Sequence, residues 1–387
     1  MPLTEERLPL PGNILIAAEY LAPQSGNFIA SMLDLASAVK EAGAQAAFLF
    51  PIGAETRSWV RWIRSEGFEV YFIDESAPAE TRLQALRQIV AQNEIKLVHI
   101  HFGCMENFFL QNRSALGVCL VIHDHFDFVT NRSWLRQRLS SQKKALQYRR
   151  AGACCVSVME KKDRWYWLMG KRRHSFIING LSLRRGERDT LSREARRAEI
   201  GLREGERLVL FLGWDMYRKG LDIAIQAVEL YRKRDPHLKI GVIGVGAEGK
   251  PTPQTEAFLR ERGVDPHSEA IVYMHSYEDI FALNRAADCY ISSSRAEAFS
   301  YGILEAISQN LPVVVSDIAG TSWSWDYSKC FRYPVNDPAA CAEAIGKALP
   351  LRDAPSNHAD LLRRYGNDLW SQRILAVYRQ ALSAQRP

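Results

Sequence analysis

Short apolar runs recur along the whole chain, and amphipathic segments of helical length separate them. The first series contains "NILIAAEYL", "IKLVHIHFG" and "CLVIHDH", and the second contains "RLVLFLGW", "DCYISSS" and "LPVVVSD". Runs of strand length that are rich in β-branched residues and alternate with helices are typical of βαβ units, whose strands form parallel sheets. The pattern therefore predicts an α/β fold with two doubly wound domains in tandem.

The length of the chain, 387 residues, agrees with two domains rather than one. The polar stretch of residues 182–205 lacks a strand pattern and is predicted to hold the linker and a short helix. We place the first domain at residues 1–185 and the second at residues 186–365. Residues 366–387 are predicted to belong to an amphipathic C-terminal helix.

The composition bears on the cellular compartment. Seven Cys residues are scattered without the spacing of a zinc site, and most lie in apolar surroundings, which favours buried, reduced thiols. The N-terminus lacks the apolar core of a signal peptide, and no apolar stretch approaches the length of about 18 residues that a spanning helix needs. We therefore expect a cytoplasmic protein.

The net charge of +6 is concentrated in one segment, because residues 132–173 hold 13 basic and 2 acidic side chains. Aromatic residues such as Trp134, Trp165 and Trp167 lie among them. Basic, aromatic amphipathic helices lie on anionic membranes, so we expect peripheral binding at the inner face of the plasma membrane. A solvated basic surface with some Trp side chains in the core is the alternative. No recognition motif supports a nucleic-acid partner.

The stretch "SSSRAEAFSYGILEAISQNLPVVVSD" places two carboxylates, Glu297 and Glu305, around the predicted start of a helix. A strand precedes the loop with Glu297, and ligands of parallel sheets bind beyond the carboxyl ends of strands. The amides of Ser300, Tyr301 and Gly302 would lie at the amino end of the helix, which suits a phosphate or an oxyanion. The alternative is a capping acid followed by a surface glutamate.

This stretch resembles the E-x7-E signature of retaining glycosyltransferases with the GT-B fold, in particular glycosyltransferase family 4. It matches both Glu residues, the Phe, the Glu-Ala pair and Leu-Pro-Val-Val, while Ser300 and Asn310 replace glycines. The resemblance implies two Rossmann-like domains that face each other across a cleft, with the acceptor side in the first and the nucleotide sugar in the second. It also implies that Glu305 binds the ribose hydroxyls and that Glu297 contacts the donor sugar.

A second match, "FLGWDMYRKGLDIAIQA", resembles the family's Lys-Gly after the first strand of the second domain. Lys219 and Gly220 fit, Arg218 adds a cation, and Trp214 stands where the family has Arg. Two cations beside a diphosphate would stabilise the charge that develops on the leaving group; a solvated basic loop is the alternative. The donor-binding residues that the resemblance implies are Arg218, Lys219, Gly246, Ser276, Glu297, Phe299, Ser300, Tyr301 and Glu305.

The chain has no Asp-x-Asp triad of the kind that holds a divalent metal on a diphosphate. Neutralisation of the diphosphate by Lys219, Arg218 and helix amides agrees with that absence. We therefore predict a metal-independent hexosyltransferase without a cofactor, whose donor is a nucleotide diphosphate sugar, with a UDP-sugar as the first candidate.

In the first series, two strands end in His, at positions 99 and 101 and at positions 123 and 125. The "His-Asp" at 123–124 resembles the family's acceptor-side His, which lies near the reacting carbon, although a His at a strand end is by itself more often structural. The resemblance further implies that the terminal helix around Trp370 returns to the first domain and couples domain closure to donor binding. The acceptor-side residues implied are Gly26, His101, His123 and Asp124, and the catalytic residues implied are Glu297, Lys219 and His123.

The function that we expect is retaining transfer of a sugar from a nucleotide diphosphate sugar to a hydroxyl acceptor. A lipid-linked acceptor would suit the basic segment, and surface polysaccharide or glycolipid assembly would be the setting. Two alternatives stay open. One is a nucleotide-sugar epimerase on the same fold, because a fold does not determine a function. The other is a non-catalytic docking protein that keeps the nucleotide pocket.

Overall fold

A computed structural model describes residues 9–125, 134–158, 173–186, 191–247, 249–274 and 280–384. The chain divides into two compact units, one formed by Met1–Ser182 with Tyr365–Pro387 and the other by Leu183–Arg364. Each unit is built around one parallel sheet with helices in its connections. The predicted fold class, an α/β chain with two doubly wound Rossmann-like sheets, is confirmed.

The first unit contains the strands β1 Asn13–Ala18, β2 Ala46–Pro51, β3 Glu69–Ile73, β4 Ile95–His101, β5 Cys119–Asp124, β6 Cys154–Ser157 and β7 His174–Phe176. They form a sheet in the order β3-β2-β1-β4-β5-β6-β7, and the order reverses between β1 and β4. Ligands of doubly wound sheets bind at this switch point. The helices of this part of the chain are α1 Gly26–Glu41, α2 Ser58–Ser65, α3 Ala79–Gln92, α4 Cys104–Leu116 and α5 Trp134–Arg150.

The second unit contains the strands β8 Arg207–Leu212, β9 Leu238–Ile243, β10 Gly246–Ala247, β11 Lys250–Pro251, β12 Ile271–Met274, β13 Cys289–Ser292, β14 Val313–Ser316 and β15 Cys330–Tyr333. Apart from the hairpin β10–β11, they form a parallel sheet in the order β12-β9-β8-β13-β14-β15, with its switch point between β8 and β13. The helices are α6 Arg193–Glu199, α7 Met216–Lys219, α8 Leu221–Arg232, α9 Pro253–Glu261, α10 Ile280–Ala286, α11 Tyr301–Ser308, α12 Pro338–Ala348 and α13 His358–Tyr365.

The C-terminal helix α14, Asn367–Ser383, belongs to the first unit. It begins after a parallel bridge between Leu181 and Gly366 and packs against α1 and β5. Trp370, Ile374 and Tyr378 follow one another at four-residue spacing and form its buried face. The helix therefore packs on the unit that precedes the linker.

The structure describes the basic segment of residues 132–173 only in part. The predicted helix is α5, in which Ala145 and Tyr148 are buried while Leu146 is exposed. Trp165 and Trp167 lie outside the described residues. Among the residues that are described, no helix is both long enough and apolar enough to cross a membrane.

Candidate functional site

Two loops of the second unit leave neighbouring strands at the switch point. One follows β8 and leads through the short helix α7 to Lys219, and the other follows β13 and carries Glu297. Because β8 and β13 are adjacent parallel strands, their carboxyl ends bring the two loops together. The Nζ atom of Lys219 lies 2.5 Å from Oε2 of Glu297. The fold thus joins two predicted donor-site residues that are 78 positions apart in the sequence.

Arg218 lies beside this pair and is oriented by Asp215, the N-cap residue of α7. One carboxylate oxygen of Asp215 accepts a hydrogen bond from the Arg218 amide at 3.0 Å, and the other accepts one from its Nε at 3.1 Å. The Nη1 atom of Arg218 lies 3.6 Å from Oε1 of Glu297. Each oxygen of Glu297 therefore faces a cation, and the residue is only 9% exposed, so the screening of these contacts by solvent is weak.

The backbone around the pair approaches closely at two glycines. Gly220 has a φ of +70°, and a Cβ atom there would lie 2.1 Å from the carbonyl oxygen of Ser293. Gly320 lies in the 3₁₀ segment Ala319–Ser324, where a Cβ atom would lie 1.7 Å from the carbonyl oxygen of Glu297. Both positions require glycine. The sequence motif identified Gly220, but nothing in the pattern around Gly320 pointed to the site.

Helix α11 begins at Tyr301, four residues after Glu297. Its N-cap residue, Ser300, has an extended backbone and makes no capping hydrogen bond with its side chain. Phe299 is buried and stacks on Trp323, with 4.7 Å between the ring centroids. The first turn of a helix leaves amides without intrahelical acceptors, so this end of α11 is suited to an anionic ligand.

Glu305 lies further along α11 and is buried. The Nη1 atom of Arg185, which is also buried, lies 3.1 Å from Oε1 of Glu305. The sequence did not reveal this partner. The pair spans 120 positions, and the stretch "SLRRGE" shows no pattern that would tell which Arg faces inward.

Imidazole rings gather at the carboxyl ends of β4 and β5 in the first unit. His99 and His101 lie on β4, His123 lies beside them on β5, and all three are buried. The Nε2 atom of His99 lies 3.2 Å from Nδ1 of His123, and its Nδ1 atom lies 2.7 Å from the hydroxyl of Tyr378. The Nδ1 atom of His101 lies 2.9 Å from Nε2 of His125.

Among the residues that the structure describes, three of these rings lie close enough to one another to hold a metal ion. One ring nitrogen each from His99, His101 and His123 lies within 4.8 Å of the other two. Tetrahedral zinc sites use such neutral imidazole ligands. In this structure the ring nitrogens instead contact one another and Tyr378.

Burial keeps these histidines neutral. It lowers the pKa of His99 to about 3 and the pKa of His125 to about 4. Burial, together with the neighbouring imidazoles, lowers the pKa of His101 and the pKa of His123 well below the ordinary value. In the described part of the chain, the Nε2 atom of His123 is buried and has no hydrogen-bond partner.

A solved structure with the same architecture supports the fold assignment. The Anabaena protein Alr3699/HepE, in complex with UDP-glucose, superimposes with a TM-score of 0.74 at 15% identity, over 94% of this chain and 98% of that one. Residues 192–365 match the family described as glycosyl transferases group 1. The chain has the GT-B fold of this structural neighbour. The predicted recognition of this fold family is confirmed.

Two curated relatives resemble part of this chain. D-inositol 3-phosphate glycosyltransferase of Nocardia farcinica is 29% identical over 165 residues, which is 42% of this chain and 37% of the relative. Lipopolysaccharide glucosyltransferase WaaG of Escherichia coli is 30% identical over 129 residues, 33% of each chain. The chain thus spans less than half of the length of these relatives.

The other predicted donor-site residues of this chain lie as follows. Tyr301 is the first residue of α11. Gly246 begins the hairpin after β9 and packs against Tyr273. Ser276 lies outside the described residues. Trp214, at the family's Arg position, is 76% exposed in the loop after β8.

Two further positions concern the acceptor side and a departure from the family pattern. Gly26 begins α1 with a φ of +55°, and Asp124 ends β5 next to His123. Asn310, which replaces a glycine, has a φ of +56°. Asn is among the residues that tolerate this left-handed region, so the replacement preserves the backbone after α11.

Proposed function

We propose that the chain transfers a sugar from a nucleotide diphosphate sugar to a hydroxyl acceptor with retention of the anomeric configuration. The observation that carries the proposal is the Lys219–Glu297 pair at the switch point of the second unit, just before the amino end of α11. Cations and helix amides in one place suit a diphosphate. The family match of residues 192–365 adds support from relatives.

In the proposed reaction, the acceptor oxygen forms a bond to the anomeric carbon while the bond from that carbon to the diphosphate breaks. The acceptor proton passes to the leaving phosphate oxygen, so this front-face displacement requires no enzymic nucleophile. Lys219 and Arg218 stabilise the negative charge that develops on the diphosphate. Glu297 contacts the donor sugar, and Glu305 accepts hydrogen bonds from the ribose hydroxyls.

The first unit is proposed to contact the acceptor through His123. A neutral imidazole accepts a hydrogen bond from a hydroxyl without adding charge, and the Nε2 atom of His123 lacks a partner among the described residues. Gly26, His101 and Asp124 are proposed to lie on the same acceptor side.

We propose that transfer requires no metal on the diphosphate, because Lys219, Arg218 and the amides of α11 supply the opposing charge. A UDP-hexose is the first donor to test, since UDP-glucose is the ligand in the Anabaena neighbour. The names of two relatives refer to inositol 3-phosphate and to lipopolysaccharide. We propose an acceptor in surface polysaccharide or glycolipid assembly, reached at the inner face of the plasma membrane through the basic segment of residues 132–173.

A thermal-shift panel followed by product analysis tests the proposal. UDP, GDP, ADP and their common sugars are added to wild type and to Glu305→Ala, with and without EDTA. Binding to the folded state raises the melting temperature, so one base should give a shift that EDTA leaves unchanged and that Glu305→Ala loses. Release of the nucleoside diphosphate only with an acceptor supports transfer. Conversion of the sugar without an acceptor would indicate an epimerase, and binding without any turnover would indicate a docking protein.

A further inference from the structure

We infer that Arg185 is a positioning residue that prepares Glu305 for the ribose of the nucleotide. The inference rests on the proposed function, which assigns the ribose hydroxyls to Glu305. Arg185 belongs to no motif of the sequence, and it reaches Glu305 from the segment that opens the second unit.

The ion pair between Arg185 and Glu305 is more enclosed than the other pairs at this switch point. The two side chains are 7% and 4% exposed. The cations that face Glu297 are more open, with Lys219 at 17% and Arg218 at 35%. Since little water reaches Arg185 and Glu305, their attraction is weakly screened, and the guanidinium rather than solvent determines the orientation of the carboxylate.

The backbone that carries Arg185 is itself held in place. The amide of Gly186 donates a hydrogen bond to the carbonyl oxygen of Leu183 at 2.9 Å, which closes a turn around Arg185. Gly186 lies against the buried ring of Phe281 on α10, so closely that a Cβ atom would lie 3.3 Å from it. Arg185 therefore extends towards Glu305 from a fixed position.

The chemistry of the pair favours a role in ribose binding. A buried carboxylate without a counter-charge is costly, and Arg185 supplies that charge. An ionised carboxylate accepts stronger hydrogen bonds than a neutral group, and its hydrogen bonds are strongest when its plane is already oriented. A planar guanidinium provides this orientation, whereas an ammonium group is a point charge. Arg185 is thus expected to affect how well the site recognises ribose hydroxyls, without contacting the nucleotide itself.

The test compares nucleotides with and without the 2′-hydroxyl. Calorimetry gives dissociation constants for UDP and 2′-deoxy-UDP, and for the corresponding GDP and ADP pairs, on wild type, Arg185→Lys, Arg185→Gln, Glu305→Gln and the Arg185→Gln/Glu305→Gln double variant. We expect wild type to bind one ribonucleotide about tenfold more tightly than its 2′-deoxy analogue, which is the value of one charge-assisted hydrogen bond.

Arg185→Gln should lower this ratio to about twofold or less, and Glu305→Gln should do the same. The double variant should match Glu305→Gln alone, because one residue acts through the other. Arg185→Lys keeps the positive charge and serves as the second variant if Arg185→Gln does not fold. It should give a ratio between those of wild type and Glu305→Gln.

The matched control is Arg193→Gln. Arg193 forms a 2.5 Å pair with Asp288 at the amino end of β13, the end opposite to the loop with Glu297. Its removal should lower stability and leave the ratio unchanged. If the Arg185 variants keep the wild-type ratio while Glu305→Gln loses it, the inference is wrong and the proposed function stands. If wild type binds none of these nucleotides, or binds each ribonucleotide and its 2′-deoxy analogue equally well, the ribose role of Glu305 and the inference are both wrong.

Discussion

Apart from the additional edge strand β7 of the first unit, the main sheets of the two units share one strand order, but their switch points carry different chemistry. In the second unit, the loops after β8 and β13 bring together ionised side chains, with Lys219 against Glu297. In the first unit, β4 and β5 bring together imidazoles that burial keeps neutral, with His99 against His123. The sheet therefore determines where site residues gather, and the side chains determine which charge they present.

The two switch points are also held together in different ways. In the second unit, backbone segments approach closely at Gly220 and Gly320. In the first unit, rings pack against rings, for example His123 and His125 with centroids 4.4 Å apart and an interplanar angle of 5°. We therefore expect a larger side chain at these glycines to destabilise the second unit. Protonation of the buried imidazoles should destabilise the first unit.

The largest effect is expected from removing charge at the second site. Lys219→Ala should lower kcat of the proposed transfer by about 100-fold to 1000-fold, the cost of losing one group that stabilises developing charge. The measurement is release of nucleoside diphosphate in the presence of the acceptor. Lys239→Ala is the control, because Lys239 is similarly exposed, at 18% against 17%, and is paired with Glu206 at 3.4 Å. If Lys219→Ala lowered kcat by less than tenfold, residues other than Lys219 would provide most of the charge stabilisation.

Added volume at the same site should cost somewhat less free energy. Gly220→Ala must hold a left-handed φ and also displace the carbonyl of Ser293, so the free energy of unfolding should fall by about 3 kcal/mol. Gly263→Ala has a similar φ, +69°, with no atom within 4 Å of the new Cβ, and should cost about 1 kcal/mol. Urea unfolding measures both. Equal losses of unfolding free energy in the two variants would mean that the close approach of the Ser293 carbonyl does not add to the cost of Gly220→Ala.

The sequence predicts the second site well because its residues lie in recognisable local patterns. Lys219 and Glu297 each follow a strand within a few residues, and the order of parallel strands brings them together. Arg185 and Gly320 escaped prediction because their roles depend on tertiary contacts, namely an ion pair across 120 positions and a backbone approach to Glu297. Contacts between residues so far apart in the sequence cannot be predicted from a local sequence pattern.

The first site was predicted less completely for a related reason. The sequence shows that strands end in His, but the contact between rings depends on register, which pairs His101 with His123 across β4 and β5. The neutral state then follows from burial of the cluster under α14, where Tyr378 meets His99. The short edge strands β7 and β15, of three and four residues, were also not predicted.

Acid should weaken the first unit selectively. The pKa of His99 falls from 6.5 to about 3 and that of His125 to about 4 on folding. Above pH 6.5 both states are neutral and these groups contribute nothing. Below it the unfolded chain binds protons that the folded unit does not, so the free energy of unfolding falls as the pH drops from 6.5 towards 4. Each histidine contributes at most about 1.4 kcal/mol per pH unit.

Hydrogen exchange measured strand by strand checks this expectation. Amides of β4 and β5 should lose protection between pH 6.5 and pH 5 faster than amides of β8 and β13, after correction for the intrinsic exchange rate. His99→Gln should reduce the pH dependence by about 1 kcal/mol per pH unit, because one buried imidazole no longer titrates. Equal pH dependence in both units would contradict the contrast between a neutral and a charged switch point.

The smallest effect is expected where the second site departs from its family pattern. Asn310→Gly relieves a left-handed φ of +56°, but it removes hydrogen bonds of the side chain with Ser356, at 2.5 Å, and with the Ala354 carbonyl, at 3.3 Å. These terms oppose each other, so the free energy of unfolding should change by less than about 1 kcal/mol. Asn310→Ala keeps the strain and loses both bonds, and should cost about 2 kcal/mol. Equal losses in the two variants by urea unfolding would mean that the side-chain bonds, rather than the backbone conformation, maintain the chain after α11.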